Sequence, residues 1–488
     1  MNVYDKLSDP IAFTVFILTL LLPIGIGLLA MLKTKNQSDF FIGGRVMNKI
    51  VVALSAVSSG RSSWLVLGVS GMAYTLGAGA VWAILGYTIV EAFQFVYIGK
   101  KLREETQATD SITLLDYFDS RFGNNNRLIR VTGAIIIGLF MTAYVAAQFN
   151  AGAKTLSTAL DLSVEFSLII SGLLILVYMV LGGYVAVAYN DVVRAIIMLI
   201  GLVVLPVVGL ITLGGPGVLS NLLYKLNPGM IDPFSLGAGI IVGFIGIGLG
   251  SPGQPHIVVR YMSIDQSKNL TYSAVVGTIW NIILGVGAVS IGLVGRAVIP
   301  EVSVLPDSDP EMIYLVLSSK YFGTVFYGLL VGGIFAAILS TADSQLLVVA
   351  STFVRDIYEK VLRRKNLIAE ADKLKLSRIV VVLCGIAAII LAYIAQDLVF
   401  WLVLFAWGGL GAAFGPALIL SLYWKRTTKT GIVSGMITGT IITIVWKLWL
   451  KTPTGIYELI PAFIGAACVI IFISLTDKTL NRVPHESA

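Results

Sequence analysis

Long runs of apolar residues recur along almost the whole chain, and they constrain its fold more than any other feature. About thirteen of them reach the ~20 residues that an α-helix needs to cross a bilayer. Hydrophobic residues make up 57% of the 488 residues and charged residues only 12%, which is far from the balance of a soluble domain. Backbone groups inside a bilayer must find their hydrogen bonds within the chain. We therefore expect an all-α polytopic membrane protein.

The loops between these runs predict the orientation of the chain. Lysine and arginine concentrate in the cytoplasmic loops of membrane proteins. Loops after odd-numbered runs hold about twenty-five of the 34 basic residues, among them Arg260, Lys268 and the cluster from Arg355 to Lys375. This bias predicts a multi-pass protein of the cell membrane with its N-terminus outside and its C-terminus in the cytoplasm. The runs lie near residues 11–32, 48–76, 80–100, 128–157, 164–186, 189–213, 236–260, 270–299, 321–354, 377–396, 399–424, 430–450 and 456–475.

The ninth run contains the polar sequence that points most directly to function. It reads GGIFAAILSTADSQ from Gly332 to Gln345. Residues one turn apart share a helix face, so Ser340 and Ser344 project together. A carboxylate at membrane depth costs ~2.5–3.5 kcal/mol on insertion scales, so Asp343 is expected to face a partner, an ion or a cavity. The helix is thus predicted to border a binding site, unless an arginine holds Asp343 for packing alone.

Two runs contain sequences that interrupt a helix. The second run has small and polar residues from Ser55 to Ser63, and the seventh has glycines and prolines from Gly246 to Pro255. Glycine and proline weaken helices, and unwound backbone at membrane depth occurs only where protein or a cavity satisfies it. Because the two runs begin successive blocks of five, they predict an inverted-repeat transporter that binds its ligands at the midplane.

This pattern predicts one transmembrane transporter domain over residues 1–488. An extra N-terminal helix is expected at 11–32, the first repeat at 48–213, the second repeat at 236–424, and two C-terminal helices at 430–475. No phosphate-binding loop or catalytic triad is recognisable, and two histidines and two cysteines are too few for a metal centre. We expect no enzyme activity, organic cofactor or nucleic-acid partner. The expected partners are a small solute, a coupling ion and the lipid bilayer.

A series of short motifs follows the same runs in a fixed order. The motifs are FFIGGR (Phe40 to Arg45), ALSA (Ala53 to Ala56) with Trp64, DYFDSRFG (Asp116 to Gly123), GGYVAV (Gly182 to Val187) with Asp191, GQPHIVVRYM (Gly253 to Met262), LSTADSQLL (Leu339 to Leu347), AAFGPALIL (Ala412 to Leu420) and YELIP (Tyr457 to Pro461). In order and spacing they resemble the sodium:solute symporter family, most closely its sodium/proline branch, over nearly the whole chain. The resemblance implies a LeuT-like fold with a five-plus-five inverted repeat and secondary transport by alternating access. A non-transporting membrane sensor of the same fold stays open as an alternative.

The resemblance also implies an ion site between the second and ninth spans. In the family a sodium ion is held there by backbone carbonyls and two hydroxyls, in the way that such oxygens replace an ion's hydration shell. The corresponding carbonyls belong to Ser58, Arg61 and Ala337, and the hydroxyls to Ser340 and Thr341. Sodium is the only metal ion that the sequence implies.

A second ion site, used by some family members, corresponds to Asp191, Asp343 and Ser344. Here the chain departs from the proline branch, because Gly60 replaces an aspartate, Arg61 an apolar residue, Arg194 a glutamine and Asp343 a hydroxyl residue. A fixed cation would repel sodium by ~4 kcal/mol at 4 Å with an effective dielectric of ~20.

Three interpretations of these departures remain open. In the first, Arg61 and Arg194 balance Asp191 and Asp343, and one or both of them take the place of an ion by tying the fifth or ninth helix to the second, so that transport is independent of ions. In the second, a carboxylate titrates and couples transport to protons. In the third, Arg61 offers only its carbonyl, its side chain points away from the ion, and sodium symport is intact.

The solute is less defined than the ion site. In the proline branch the broken seventh helix offers a Trp and a Tyr, where this chain has Ile247 and Ser251 and keeps Pro255. We therefore expect a small amino acid such as proline or a related carboxylate, with proline itself weakened by the lost aromatics. Arg61 could pair bidentately with a carboxylate. Further cavity residues, with plain helix packing as the alternative, are expected at Ser62, Ser63, Trp64, Tyr144 and Gln148.

Overall fold

The computed structural model describes residues 6–31, 37–123, 127–179, 183–362, 370–395 and 397–477. Nine helical segments of this part are long and apolar enough to cross a membrane, and three shorter apolar helices accompany them. The one β interaction of the described residues is an isolated bridge between Met47 and Ile264. The prediction of an all-α multi-pass protein is thus confirmed. Part of the predicted basic cluster, at 363–369, lies outside the described residues.

The α-helices are numbered in chain order over the described residues. They are α1 (Pro10–Met31), α2 (Gln37–Ile42), α3 (Lys49–Ser63), α4 (Ser70–Leu76), α5 (Val81–Phe93), α6 (Lys100–Ala108), α7 (Leu114–Arg121), α8 (Arg127–Leu160), α9 (Val164–Met179), α10 (Tyr184–Leu213), α11 (Pro216–Leu226), α12 (Ala238–Gly246), α13 (Pro255–Ser263), α14 (Leu270–Val298), α15 (Ile313–Tyr321), α16 (Thr324–Ser351), α17 (Glu370–Ile394), α18 (Val399–Tyr423), α19 (Lys429–Val445), α20 (Lys451–Thr454) and α21 (Leu459–Thr476).

Helices cover each predicted run, with corrected boundaries at some ends. The fifth run was expected to extend to 186, but α9 ends at Met179 and α10 already begins at Tyr184. The segment Lys49–Ala108 counts as one apolar stretch of 60 residues, and a straight helix of that length would extend ~90 Å, about three times the bilayer core. The helix is interrupted at Gly77, which follows the end of α4 and whose φ of +73° favours glycine. The number of crossings and the inverted repeat stay predictions.

The helix with the predicted polar cluster, α16, lies at the centre of the bundle. Every residue from Leu330 to Ser351 is buried, and the helix packs against α1, α3, α8 and α10. Glycine permits close approach on the α1 side, since a Cβ at Gly328 would lie 2.2 Å from the carbonyl oxygen of Ala12. The polar residues of α16 therefore face protein rather than lipid.

Candidate ion and solute site

The first predicted break lies at the end of α3. Ser62 has φ +37° and ψ −169°, a conformation that L-residues rarely adopt. Its hydroxyl accepts the backbone N–H of Trp64 at 3.1 Å, and a π-helical turn then covers Trp64–Val69. Such backbone outliers and π-turns cluster at functional sites. The helix is thus broken within the serine cluster that the sequence singled out.

Two hydroxyls of α16 cross to the backbone of α3 just before this break. Ser340 Oγ donates to the carbonyls of Ala337 and Ser58, at 2.9 and 3.2 Å. Thr341 Oγ1 donates to the carbonyl of Ser59 at 2.9 Å. All of these side chains are fully buried. Two hydroxyl and three carbonyl oxygens therefore converge between α3 and α16, and four of the five predicted ion ligands are among these residues.

The fifth predicted ligand, Arg61, is arranged differently. Its carbonyl accepts the N–H of Trp64, while its side chain extends to Glu91 on α5 and Asn281 on α14. The hypothesis that Arg61 ties the second span to the fifth or ninth is therefore wrong. The structure has the alternative arrangement, in which the guanidinium points away from the hydroxyls of α16.

Four charged side chains form a compact buried cluster next to the predicted ion ligands of α16. Arg194 Nη1 lies 2.5 Å from Asp343 Oδ2 and 3.6 Å from Asp191 Oδ1. Arg260 Nη2 lies 3.2 Å from Asp191 Oδ2. Each of the four side chains is at most 1% exposed. The structure thus brings the predicted network together, but Arg260 supplies the second positive charge that was expected from Arg61.

Arg260 was counted as a cytoplasmic loop residue, and that prediction is wrong. It lies on α13, where it donates to Ser55 Oγ at 3.1 Å, to Ser59 Oγ at 2.8 Å and to Ser344 Oγ. Ser59 Oγ also contacts the carbonyl of Ser340 at 3.0 Å. One guanidinium therefore joins α3, α10, α13 and α16. Its position in an otherwise apolar stretch after the second break was the sequence signal that could have revealed it.

The second predicted break lies between α12 and α13. A 3₁₀ segment covers Ile247–Gly253, and Gln254 is extended with φ −92° and ψ +102°. The Gln254 amide donates to the carbonyls of Gly250 and Trp407, at 3.0 and 2.9 Å. Trp407 Nε1 in turn donates to the carbonyl of Ile247 at 2.8 Å. Side chains thus satisfy the carbonyls that the unwound segment frees.

A small cavity lies between the two breaks. Its free volume of about 10 Å³ is roughly the space that one water molecule needs, so a solute binds here only after the lining residues move apart. It contains three predicted solute residues, namely Trp64, Tyr144 and Ile247, and it adds Trp407 of α18, which sequence reasoning missed. The lining residues are Gly60, Arg61, Trp64, Tyr144, Ile247, Val403, Leu404 and Trp407.

The remaining predicted solute residues divide into two groups. Ser63 Oγ donates to Gln148 Oε1 at 2.9 Å, which joins α3 to α8 beside Trp64. Among the described residues, Gln148 Nε2, Trp64 Nε1 and Ser251 Oγ are buried without a hydrogen-bond partner. Unpaired buried donors of this kind suit a polar ligand. Pro255, by contrast, lines a separate cavity with Arg260 and Ser344, so the structure does not group it with the solute residues.

The start of α18 packs against Trp64, one of the residues that line the cavity. The Phe400 ring stacks on Trp64, with 5.6 Å between centroids. Glu311 accepts the N–H groups of Val399 and Phe400 at 2.8 and 2.9 Å, and Lys154 Nζ lies 3.0 Å from its carboxylate. Burial raises the pKa of Glu311 above its ordinary value, and Lys154 opposes this shift. These contacts hold the start of α18 in place, and with it the Phe400 ring that stacks on Trp64.

Three curated relatives match nearly the whole chain. The osmoregulated proline transporter OpuE of Bacillus subtilis is 35% identical over 457 residues, covering 93% of this chain and 92% of the relative. Sodium/proline symporter 2 of Staphylococcus saprophyticus is 36% identical, covering 93% and 90%. The sodium/proline symporter of Staphylococcus aureus is 35% identical, covering 91% and 88%.

Two solved structures share the fold. A Na⁺-coupled sialic acid symporter, substrate-bound and outward-open, superposes with a TM-score of 0.81 at 17% identity, covering 96% of this chain and 98% of that one. Mhp1, a nucleobase-cation-symport-1 family transporter in a closed conformation, superposes with a TM-score of 0.58 at 12% identity, covering 91% and 97%. The family model for the sodium:solute symporter family matches residues 40–439. With this match and the relatives above, the chain belongs to the sodium:solute symporter family and is a transporter rather than an enzyme.

Proposed function

We propose that the protein imports a small amino acid by alternating access, driven by sodium, and that proline is its solute. Membership of the sodium:solute symporter family supports the transport class. Relatives at 35–36% identity that are named as proline transporters support the solute. The orientation with an external N-terminus and the division into two repeats, at 48–213 and 236–424, are part of this proposal.

The convergence of oxygens between α3 and α16 carries the sodium proposal. Hydroxyls of Ser340 and Thr341 lie against the carbonyls of Ser58, Ser59 and Ala337. Rotation of each hydroxyl would turn its proton away and present a lone pair, giving the oxygen ligands that a hard monovalent cation needs. These atoms suit sodium because all of the proposed ligands are neutral oxygens.

Charge balance removes the main objection to sodium. An unpaired guanidinium near these oxygens would repel a cation, but Arg61 is paired with Glu91. Arg194 and Arg260 are likewise paired with Asp343 and Asp191. The same pairing leaves no net negative charge for a second cation at the aspartates. We therefore propose one sodium ion per solute, in place of the two-ion arrangement that the resemblance allows.

The chemistry of the residues that line the cavity supports a compact solute with one apolar face. Trp64, Tyr144 and Trp407 supply aromatic walls. Trp407 reaches the second break from α18 and restores an indole near the position where Ile247 replaces the tryptophan of the proline branch. The unpaired donors of Gln148 and Ser251 are available to polar groups of the solute. The lost aromatics of the seventh span are thus no argument against proline.

Uptake by proteoliposomes tests the proposal. Labelled proline is offered to the purified full-length protein with an inward sodium gradient, with an inward proton gradient in potassium buffer, and with neither. We expect accumulation above equilibrium with sodium only. Accumulation driven by protons alone, or equilibration that ignores both ions, would overturn sodium coupling. A lack of proline uptake, with uptake of another small carboxylate, would overturn the solute.

A matched pair of variants locates the ion. Thr341→Val removes a proposed ligand without changing side-chain shape. Thr443→Val makes the same change on α19, where the buried hydroxyl bonds to the carbonyl of Gly439 in its own helix at 2.8 Å. We expect Thr341→Val to raise the sodium concentration for half-maximal uptake by about tenfold or more, because it removes one oxygen that contacts the charged ion. Equal sodium curves for both variants would contradict the site.

A further inference from the structure

Another buried ion pair lies on the face of α3 opposite to the one that contacts Asp191. Arg61 Nη2 bonds to Glu91 Oε2, and Arg61 Nε donates to Asn281 Oδ1 at 2.8 Å. The Asn281 amide donates to the same Glu91 oxygen. The guanidinium also stacks on the Tyr87 ring, 3.6 Å from its centroid. Residues of α3, α5 and α14 thus form one closed unit.

This unit is fully withdrawn from solvent. Arg61 and Asn281 are each 1% exposed, and Glu91 is completely buried. A buried ion pair adds little net stability compared with apolar residues of the same size, whereas loss of one partner leaves an uncompensated charge. We therefore interpret the Arg61–Glu91 pair as a device that positions nearby groups, because it contributes little to the stability of the fold.

The unit is connected to both ligand sites through two adjacent residues. Arg61 and Gly60 line the solute cavity, and Arg61 Nη1 donates to the carbonyl of Gly60 at 3.2 Å. The preceding carbonyl, that of Ser59, accepts Thr341 Oγ1. The guanidinium therefore contacts the backbone of α3 one residue away from a carbonyl of the proposed sodium site.

Glu91 cancels that charge from a different span. Its free oxygen, Oε1, would lie 3.8 Å from a Cβ at position 60, so the carboxylate reaches the break itself. Within the described residues Oε1 has no hydrogen-bond partner, and Oε2 serves both Arg61 and Asn281. Without this carboxylate, the positive charge of Arg61 would be buried and uncompensated on the same helix as the proposed ion ligands, and it would repel a cation there.

We propose that Glu91 and Asn281 are positioning residues for ion-coupled transport, which hold the Arg61 guanidinium against Tyr87 and cancel its charge at the break. This inference rests on the proposed sodium-driven function. It assigns no contact with solute or ion to Glu91, whose effect passes through Arg61.

The test compares a single with a double variant in proteoliposomes. Glu91→Gln keeps the size of the side chain and leaves Arg61 charged, so the sodium concentration for half-maximal uptake is expected to rise about tenfold or more. Arg61→Met with Glu91→Gln removes both charges, so it is expected to need at least about threefold less sodium for half-maximal uptake than Glu91→Gln alone. Glu458→Gln is the matched control, because Glu458 is buried and paired with Lys451 at 3.0 Å in the C-terminal region. It is expected to leave the sodium curve unchanged.

A second readout covers failure of folding and failure of sodium coupling. Thermal unfolding of each purified variant is measured with proline and with sodium or potassium chloride at equal ionic strength. An unchanged sodium curve for Glu91→Gln, or a double variant as impaired as the single one, would overturn the positioning role. If the unmodified protein ignores sodium, the proposed function is overturned. In that case proline-induced stabilisation, lost in Glu91→Gln and regained in the double variant, supports the positioning role, and its absence from both variants overturns it.

Discussion

The two helix breaks that enclose the cavity are held open by different chemistry. At the first break, between α3 and the π-turn after it, the contacts include the charged side chains of Arg61 and Arg260. At the second break, between α12 and α13, neutral hydrogen bonds of Gln254 and Trp407 and close backbone packing supply them. A Cβ at Gly253 would lie 2.6 Å from both Gly411 Cα and the Leu410 carbonyl oxygen. Charged side chains thus distinguish the first break, whereas close backbone packing distinguishes the second.

The difference indicates how the two breaks can respond to ligands. Hydrogen bonds and ion pairs have alternative partners, so the first break can exchange hydroxyl contacts for a cation. A backbone contact of van der Waals type has no such alternative, because packed interiors are bistable rather than gradually deformable. We infer that the first break senses the ion, while the second behaves as a rigid wall of the cavity.

The largest effect is expected from separating the charges that join the two breaks. Arg260→Met removes the cation 3.2 Å from Asp191 and leaves two buried carboxylates, Asp191 and Asp343, with Arg194 as their shared cation. Removing one partner of a buried pair costs ~3–5 kcal/mol. We expect a correspondingly large fall in the free energy of unfolding and loss of transport, measured by thermal unfolding in detergent and by uptake.

Two further variants show whether charge or packing is responsible. Asp191→Asn with Arg260→Met removes both charges and is expected to recover most of the stability, because no ion is left unpaired. Arg296→Met removes a partly buried arginine that lies over the Tyr74 ring at 5.0 Å, and it is expected to cost ~1 kcal/mol or less. A double variant no more stable than Arg260→Met alone would show that the contacts of Arg260 with the serines matter more than its charge.

These charges also mark how far the sequence alone could lead. The polar residues of α16 and the two breaks follow from local composition, since a carboxylate or a run of glycines in an apolar segment has few explanations. Which cation faces Asp343 depends on how helices far apart in sequence pack. Arg194 was identified because it lies three residues from Asp191. Arg260 was assigned to a loop because its helix is short.

Glu91 and Asn281 show the same limit from the other direction. Both lie in apolar runs, and an intramembrane carboxylate is itself a functional signal, so Glu91 could have been found by that rule. Its role could not, because the proline branch carries its carboxylate at the position of Gly60. Here the carboxylate comes from α5, and only the structure shows it 3.8 Å from the position of a Cβ at residue 60.

An intermediate effect is expected at the second break. Gly253→Ala places a methyl group against the backbone of Gly411 and Leu410, which cannot move aside as a flexible side chain would. Overpacking of this kind typically costs ~1–3 kcal/mol. Gly239→Ala, on the same span, has nothing within 4 Å of the added Cβ and is expected to be neutral or slightly stabilising.

Thermal stability and the sodium dependence of uptake are measured for both glycine variants. If the second break is a rigid wall, Gly253→Ala lowers the melting temperature and the rate of uptake, but the sodium concentration for half-maximal uptake stays the same. A shift in the sodium curve without loss of stability would show that the second break also takes part in ion sensing, and the distinction between the breaks would then fail.

The smallest effect is expected at Ser62, the residue that breaks α3. A non-glycine residue at φ +37° and ψ −169° carries strain of ~1–3 kcal/mol, which Ser62→Gly would relieve. Against this, glycine adds ~0.5–1 kcal/mol of chain entropy to the unfolded state and removes the acceptor for the Trp64 N–H, worth ~0.5–1.5 kcal/mol. These terms nearly cancel, so a change within ~1 kcal/mol is expected. Ser62→Val, which keeps the strain and loses the acceptor, should be clearly worse. If glycine were instead as damaging as valine, the serine hydroxyl rather than the backbone conformation would hold the break. The first break would then depend on polar side chains at Ser62 as well.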